Sequence, residues 1–149
     1  CAVQALNVYY LPDFIQWKLE QKFKKVNMWT FGAGGISQHF VYWPAHLNVK
    51  SLPIDFKAKC RAKYEAWYPW WEANWELGIP EWHKGKVDYE QWRSAEYGIK
   101  RLNGILSFME SEDWSQRLPE MKEFLSLCDR QRGITFEETF PEMKDIFNG

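Results

Sequence analysis

Residues 56–75, FKAKCRAKYEAWYPWWEANW, decide the fold because large apolar side chains recur there every three or four positions. That spacing places them on one face of an α-helix. The stripe consists of Phe56, Cys60, Tyr64, Trp67, Trp71 and Trp75. We therefore predict that this helix begins near Pro53, buries the stripe and ends before Gly78. Pro69 lies inside it and is expected to kink or split it.

Three more helices are predicted downstream. A capping-box pattern at Asp88 and Gln91 opens the first, Pro119 starts the second, and a capping box at Thr135 and Glu138 opens the last. The residues expected on their inner faces are Trp92, Ala95, Ile99, Leu102, Leu106 and Met109 for the first, Met121, Leu125 and Cys128 for the second, and Phe136, Phe140, Met143 and Phe147 for the last. Residues 51–149 thus indicate about four amphipathic helices, and the short links between them favour antiparallel neighbours.

Upstream of this region, the pattern predicts a βαβ unit. Residues 2–7 are typical of a short buried strand, Pro12 starts a helix that reaches about Lys25, and residues 36–43 are β-branched and aromatic. The FGAGG stretch at 31–35 lacks the Lys and Ser/Thr of a phosphate loop, so we interpret it as a turn. The two strands would be parallel neighbours joined by a right-handed crossover.

The expected fold class is therefore α/β to α+β and helix-rich. One domain spans 1–149, with a βαβ portion over 1–50 and a helical portion over 51–149. Two parallel strands leave uncovered sheet edges, which predicts either missing strands or a partner. The chain starts at Cys1 without an initiator Met, so we expect it to be trimmed or to be a fragment.

Composition narrows the classes of function. The 149 residues include ten Trp, seven Tyr and ten Phe, and the formal net charge is -1, so nucleic acid is not an expected partner. No apolar stretch is long enough for a membrane span, and we expect no membrane contact. The three cysteines lie far apart without a CxxC pair, which favours reduced thiols, no metal site and a cytoplasmic location.

Two groups of side chains on the residue 56–75 helix have a structural and a functional interpretation. The alternating basic residues Lys57, Lys59, Arg61 and Lys63 spread around the helix, so a solvated face is expected rather than a nucleic-acid footprint. Trp67, Trp71 and Trp75 share one face and are expected in the core, whereas Trp70 lies off that stripe and is a candidate for facing a ligand or a missing partner. Exposed tryptophans in one groove would instead indicate a sugar- or nucleic-acid-binding module.

Three stretches resemble the C-terminal part of a group of radical SAM proteins, the twitch-domain type found in marine phages and bacteria. They are AVQALNVYYLPDF at 2–14, FVYWPAHLNVKSLP at 40–53 and LCDRQRGITFEETFPEMKDIF at 127–147. The resemblance implies a remnant of a partial (β/α) barrel, here its last two strands with their crossover helix and a helical extension. The CxxxCxxC motif of that group does not occur in this chain.

The resemblance also implies where a site would lie. In a longer parent protein, the carboxyl ends of the two strands would face S-adenosylmethionine and a four-iron cluster, with Gln4, Asn7, Tyr42 and His46 as candidate lining residues. His46 is also of interest by itself, because ligands collect at the carboxyl ends of parallel strands. The chain alone would hold no cofactor, and neither a catalytic nor a metal-ligating residue is predicted.

Three functions follow as hypotheses. The first is a C-terminal segment of a radical SAM-like protein that is not catalytically competent alone, with the missing N-terminal barrel portion as its partner. The second is a stand-alone α-rich interaction module that binds a partner or self-associates through its strand edges. The third is the aromatic-rich sugar- or nucleic-acid-binding module.

Overall fold

Helices make up most of the regular structure. The computed structural model describes residues 2–21, 39–78 and 94–148. Its α-helices are α1 (Leu11–Glu20), α2 (Ile54–Asn74), α3 (Ala95–Glu110), α4 (Leu118–Arg132) and α5 (Phe136–Thr139). Single turns of 3₁₀-helix occupy Ala45–Leu47, Val49–Ser51, Trp75–Gly78, Ser115–Arg117 and Pro141–Met143.

Helix α2 lies where the periodicity places it, and its inner face is buried as predicted. Five of the six stripe residues are buried, and Trp75 is half-buried in the turn that follows. The α2 helix runs through Pro69 without a break in its assignment, so the predicted split is wrong. Because proline has no backbone N–H, the Glu65 carbonyl lacks its usual donor in the helix. Pro69 and Glu65 are both exposed, so water can supply the missing hydrogen bond.

The polar atoms of the buried aromatic residues connect α2 to three other parts of the chain. The Tyr64 hydroxyl donates to the Val8 carbonyl at 2.7 Å, and Trp67 Nε1 donates to Gln16 Oε1 in α1 at 3.0 Å. Trp71 Nε1 donates to the Ala95 carbonyl at the start of α3 at 2.9 Å. Each aromatic side chain therefore gains apolar burial while its polar atom keeps a hydrogen bond.

The predicted βαβ unit is wrong, because the described residues contain no strand. What remains of it is one isolated parallel bridge between Val3 and Phe40. Val3 N donates to the His39 carbonyl at 2.7 Å, and Val41 N donates to the Val3 carbonyl at 2.9 Å. A pairing this short forms no sheet, so neither a barrel remnant nor the proposed sheet edges are present in this part of the chain.

Local hydrogen bonds explain why the pairing stops. The Asn7 side chain accepts from Gln4 N at 2.9 Å, and Val8 N donates to the Gln4 carbonyl at 3.0 Å, so the chain turns directly after Val3. On the other segment, Pro44 ends the extended backbone and a 3₁₀ turn follows at once. The predicted turn at 31–35 and the residues 36–38 of the second strand lie outside the described residues.

The helix ends follow the chemistry of their capping residues. Thr135 and Glu138 form the predicted capping box at α5, and Gly133 ends α4 with a φ of 69°, a conformation that glycine adopts without strain. The first turn of α1 contains Pro12, as predicted, although its last predicted residues, 22–25, are not described. Ser94 caps α3 by accepting from Tyr97 N at 3.0 Å, and the capping box at Asp88 lies outside the described residues.

The contact between α2 and α3 is tightest at Gly98. A Cβ atom built on Gly98 would lie 2.4 Å from Trp71 Cζ2 and 2.6 Å from Trp71 Cε2. The indole is buried and anchored through its Nε1 atom, so it cannot swing away without losing that hydrogen bond. The absence of a side chain at residue 98 therefore allows the two helices to approach.

We predict that Gly98→Ala lowers the free energy of unfolding by about 1–3 kcal/mol through overpacking against Trp71. Gly104→Ala is the matched control on the exposed side of the same helix, where it should be neutral or stabilise by up to about 1 kcal/mol. Urea unfolding of both variants provides the measurement. Equal stability of the two variants would contradict the packing argument.

Candidate functional site

An apolar groove runs between the N-terminal turn, α4 and α5. It has two sections, of about 340 Å³ at the α4 end and about 320 Å³ at the α1 end, and both contain Leu6, Asn7, Thr139 and Phe140 in their walls. The α4 section is also lined by Gln4, Leu47, Phe124, Leu125, Cys128, Asp129, Arg132, Ile134 and Phe136, and the α1 section by Tyr10, Leu11 and Phe14. The two sections are therefore adjacent, and together they are called the groove.

The α5 wall of the groove is held by the turn that follows α4. Asp129 accepts the Phe136 N–H at 3.0 Å, so the carboxylate satisfies a free donor in the first turn of α5. This hydrogen bond sets Phe136, which is only 4% exposed, under the groove. Phe140 then packs on it with 5.5 Å between ring centroids, and Tyr10 packs on Phe140 at 5.7 Å. The floor is therefore a row of aromatic rings.

Tyr10 fixes the α1 end through one carboxylate. Its hydroxyl donates to Glu142 Oε2 at 2.6 Å, and Lys59 Nζ donates to the Glu142 carbonyl at 2.8 Å. The hydrogen bond from Tyr10 holds the pKa of Glu142 below its ordinary value of 4.5, and burial is the main reason that the pKa of Tyr10 is raised. The C-terminal turn is thereby joined to the start of α1 and to α2.

Large apolar side chains at the groove remain partly exposed. Phe14 is 42% exposed, Phe124 is 37% exposed and Ile134 is 55% exposed. Apolar surface that stays open to water in this way is typical of binding surfaces. The polar groups are few. The Asp129 carboxylate is already hydrogen-bonded, whereas the Arg132 guanidinium and the Gln4 amide have no hydrogen-bond partner among the described residues.

Two of the four residues predicted to line a site do line this groove, namely Gln4 and Asn7. The Asn7 amide has a structural role, because its Oδ1 accepts from Gln4 N and its Nδ2 donates to the Ala2 carbonyl, both at 2.9 Å. Asn7 therefore shapes the wall of the groove. The Gln4 side chain is the one of the pair that can offer its amide to a ligand.

The other two predicted residues lie apart from the groove lining. Tyr42 is 62% exposed and makes an edge contact with Phe108, with 5.8 Å between ring centroids. The ring of His46 packs on Phe124 at 5.4 Å, and its Nδ1 lies 3.9 Å from Glu120 Oε2. His46 Nε2 is buried and has no hydrogen-bond partner in the described segments. His46 therefore supports a groove residue from behind, and the structure does not bring the four candidates together.

A polar cluster joins α2 to the end of α3, and it corrects the solvated face expected of the basic residues at Lys57, whereas Lys59 is exposed as expected. Lys57 is only 5% exposed, and its Nζ donates to the carbonyls of Lys50 and Glu112, both at 2.9 Å. Burial is the main cause that lowers the pKa of Lys57. Lys50 is also buried, contacts the Glu112 carboxylate and lies 4.6 Å from the centroid of Phe108. Lys50 and Lys57 therefore join α2 and the 3₁₀ turn at Val49–Ser51 to Glu112, which follows α3.

The described residues do not fit an iron–sulfur cluster. No group of three His, Cys, Asp or Glu side chains that could hold a metal ion occurs among them. Cys60 is buried in the core, where burial raises its pKa to about 12, and Cys128 lies in the groove wall. None of the helices in these segments combines the length and hydrophobicity that a membrane span requires.

Comparisons with known protein families, with curated proteins and with solved structures found no match for this chain. The resemblance to radical SAM proteins therefore stays a prediction. The candidate site rests on the geometry of the groove.

Several groove residues were missed by the sequence analysis, chiefly Phe124, Arg132 and Ile134. One signal in the sequence pointed to Phe124 and Ile134. The predicted buried stripe of α4 contains Met121 and Leu125, so Phe124 is an apolar residue off that stripe, and Ile134 follows the helix-ending glycine. Apolar residues outside a buried stripe are candidates for a binding surface.

We predict that Lys57→Met destabilises the chain by about 1–3 kcal/mol, because the Glu112 carbonyl loses its donor. Lys59→Met is the control two residues further along the same helix. Lys59 is exposed and donates to one exposed carbonyl, so the cost should stay below about 1 kcal/mol. Thermal unfolding of both variants measures the difference, and similar costs would show that the Lys57 hydrogen bonds contribute little.

The Tyr10–Glu142 pair predicts a pH dependence. The pKa of Glu142 is lower in the folded state, so its stabilising contribution is complete above about pH 4.5 and is lost as the pH falls through the folded-state value. Tyr10→Phe removes the hydrogen bond, so the stability difference from wild type should shrink between about pH 6 and about pH 3.

Urea unfolding at both pH values tests this expectation. Tyr9→Phe is the control, because Tyr9 packs beside Tyr10 at 5.1 Å between ring centroids, while the Glu142 hydrogen bond comes from Tyr10. A Tyr10→Phe difference that is the same at both pH values would contradict the assigned cause.

Proposed function

We propose that this chain is a protein-interaction module that binds an apolar peptide segment in the groove. The observation that carries the proposal is the set of aromatic and aliphatic side chains that line the groove between the N-terminal turn, α4 and α5, with Phe14, Phe124 and Ile134 partly open to water. Grooves with an apolar floor receive amphipathic segments whose anchor residues repeat along one face. Among the described residues, Cys60 and Cys128 are free thiols, which supports a cytoplasmic setting.

The exposure of the groove walls favours a peptide over a small ligand. A pocket for a small molecule encloses most of its ligand, whereas Ile134 and Phe14 are about half exposed on the groove margins. Aromatic side chains partly open to water are typical of interface centres. The rings that the groove presents are also positioned by the core, since Tyr10 and Phe140 contact each other and the C-terminal turn.

The sugar- or nucleic-acid-binding alternative is not supported by the same contacts. It needs several exposed tryptophans in one groove, and Trp67 and Trp71 are buried in the core. Trp17 and Trp43 are exposed, at 51% and 84%, but neither lines the groove. No tryptophan is among the described residues that line the groove.

The resemblance to radical SAM proteins remains a separate prediction. It concerns a longer parent protein, for which S-adenosylmethionine and a four-iron cluster are expectations, and a missing N-terminal portion would be the partner. A coding region in frame upstream of Cys1 with a CxxxCxxC motif would support it, and a start codon immediately upstream would speak against it. The barrel strands are not part of this expectation, because the described residues form no strand.

The test compares two apolar residues on the outer side of α4. Phe124 lines the groove, while Leu127 lies three residues further, is 49% exposed and is not in the lining. Peptides selected against the full chain by display should bind Leu127→Asp like wild type. They should bind Phe124→Asp at least about tenfold more weakly, because the substitution puts a carboxylate on the apolar wall.

Circular dichroism of both variants checks that each one is folded. Equal binding by the two variants would show that the peptides use another surface. Failure to select any peptide would contradict the proposed function directly.

A further inference from the structure

We infer that the segment bound in the groove carries a carboxylate that pairs with Arg132. This inference rests on the proposed function and specifies the chemistry of the partner. The apolar walls determine which side chains of the bound segment are buried. Among the described lining residues, one charged side chain lacks a partner, and it determines the charge that the groove favours.

Arg132 is the last residue of α4 and lies in the wall of the α4 section. No hydrogen bond or ion pair joins its guanidinium to another described residue. Its neighbour Arg130 donates through Nε to the Ser126 carbonyl at 3.2 Å, and Arg117 pairs with Glu120. The five N–H donors of Arg132 thus remain available, and a guanidinium recognises a carboxylate through two parallel hydrogen bonds.

Asp129 also lies in this section, so the section contains a negative charge beside the positive charge of Arg132. The Asp129 carboxylate is half-buried and accepts the Phe136 N–H in the first turn of α5. Arg132 is exposed and its N–H donors have no partner among the described residues, so its guanidinium, rather than the Asp129 carboxylate, is the charged group best placed to contact a bound segment.

The charge lies at one end of the groove only. The described lining of the α1 section, with Leu11, Phe14 and Tyr10, contains no charged side chain. The matching segment therefore has apolar anchors along most of its length and an acidic group, either Asp, Glu or a terminal carboxylate, at the end that meets Arg132. The Gln4 amide in the same section can donate to that group or to the peptide backbone.

The experiment uses the full chain and two matched peptide probes. Both are short blocked peptides with identical Leu and Phe anchors, and one carries Glu at its flanking positions where the other carries Lys. Fluorescence anisotropy at low salt should show the Glu peptide binding roughly three- to fivefold more tightly than the Lys peptide. The preference should decrease at high salt, because Arg132 is exposed and its charge is screened.

Substitutions then assign the preference to one residue. Arg132→Gln should abolish the difference between the peptides while leaving the apolar contribution, and Arg132→Lys should keep part of it. Arg130→Gln is the control, because Arg130 lies on the same helix outside the groove lining and should leave the preference unchanged.

The outcomes separate the inference from the function on which it rests. Equal binding of both peptides, or tighter binding of the Lys peptide, overturns the carboxylate inference and leaves the interaction module standing. A chain that binds neither peptide is measured by sedimentation at several concentrations. A dimer that Phe124→Asp dissociates would make a second copy the occupant and overturn the inference. A monomer would overturn the proposed function as well.

Discussion

The hydrogen bond from the Tyr64 hydroxyl to the Val8 carbonyl is the constraint on which the rest of the structure depends. Tyr64 is fully buried, and burial raises its pKa, which keeps the hydroxyl neutral and able to donate. A buried hydroxyl without an acceptor would cost roughly 1–3 kcal/mol, so the N-terminal turn must lie against α2 at this point. The same contact aligns Leu6 and Tyr10, which form one wall of the groove, with the core.

The opposite wall depends on carboxylates that hold two chain turns in place. Asp129 and Glu138 satisfy the free amides around the start of α5, and Glu142 accepts from Tyr10, which lines the α1 section. Of these acidic residues, the sequence predicted a structural role only for Glu138, in the capping box with Thr135. Their effect on the groove is indirect, because they position the Phe136 and Phe140 rings. Of the three carboxylates, only that of Asp129 itself lies in the lining.

The sequence predicted the parts of the fold that depend on local periodicity and capping. The α2 stripe is buried because a helix places residues three and four apart on one face, and the Thr135–Glu138 capping box depends on neighbours in sequence. The βαβ unit was not predictable in the same way. Short apolar segments fit a strand or a buried turn equally well, and the Asn7 side chain decides for the turn through its bond to Gln4 N. Lys57 shows the same limit, because its acceptors come from residues seven and 55 positions away.

The groove itself is a tertiary feature, and that explains how much of it the sequence could reveal. Its walls come from residues 4–14, from α4 and from the segment after Gly133, which no motif connects. Gln4 and Asn7 were singled out for their place at the end of a strand that does not form, yet they lie in the groove because the Asn7 turn faces α4. Phe124 was detectable only as an apolar residue off the buried stripe. Binding surfaces of this kind are therefore best sought among the apolar residues that a predicted core leaves unused.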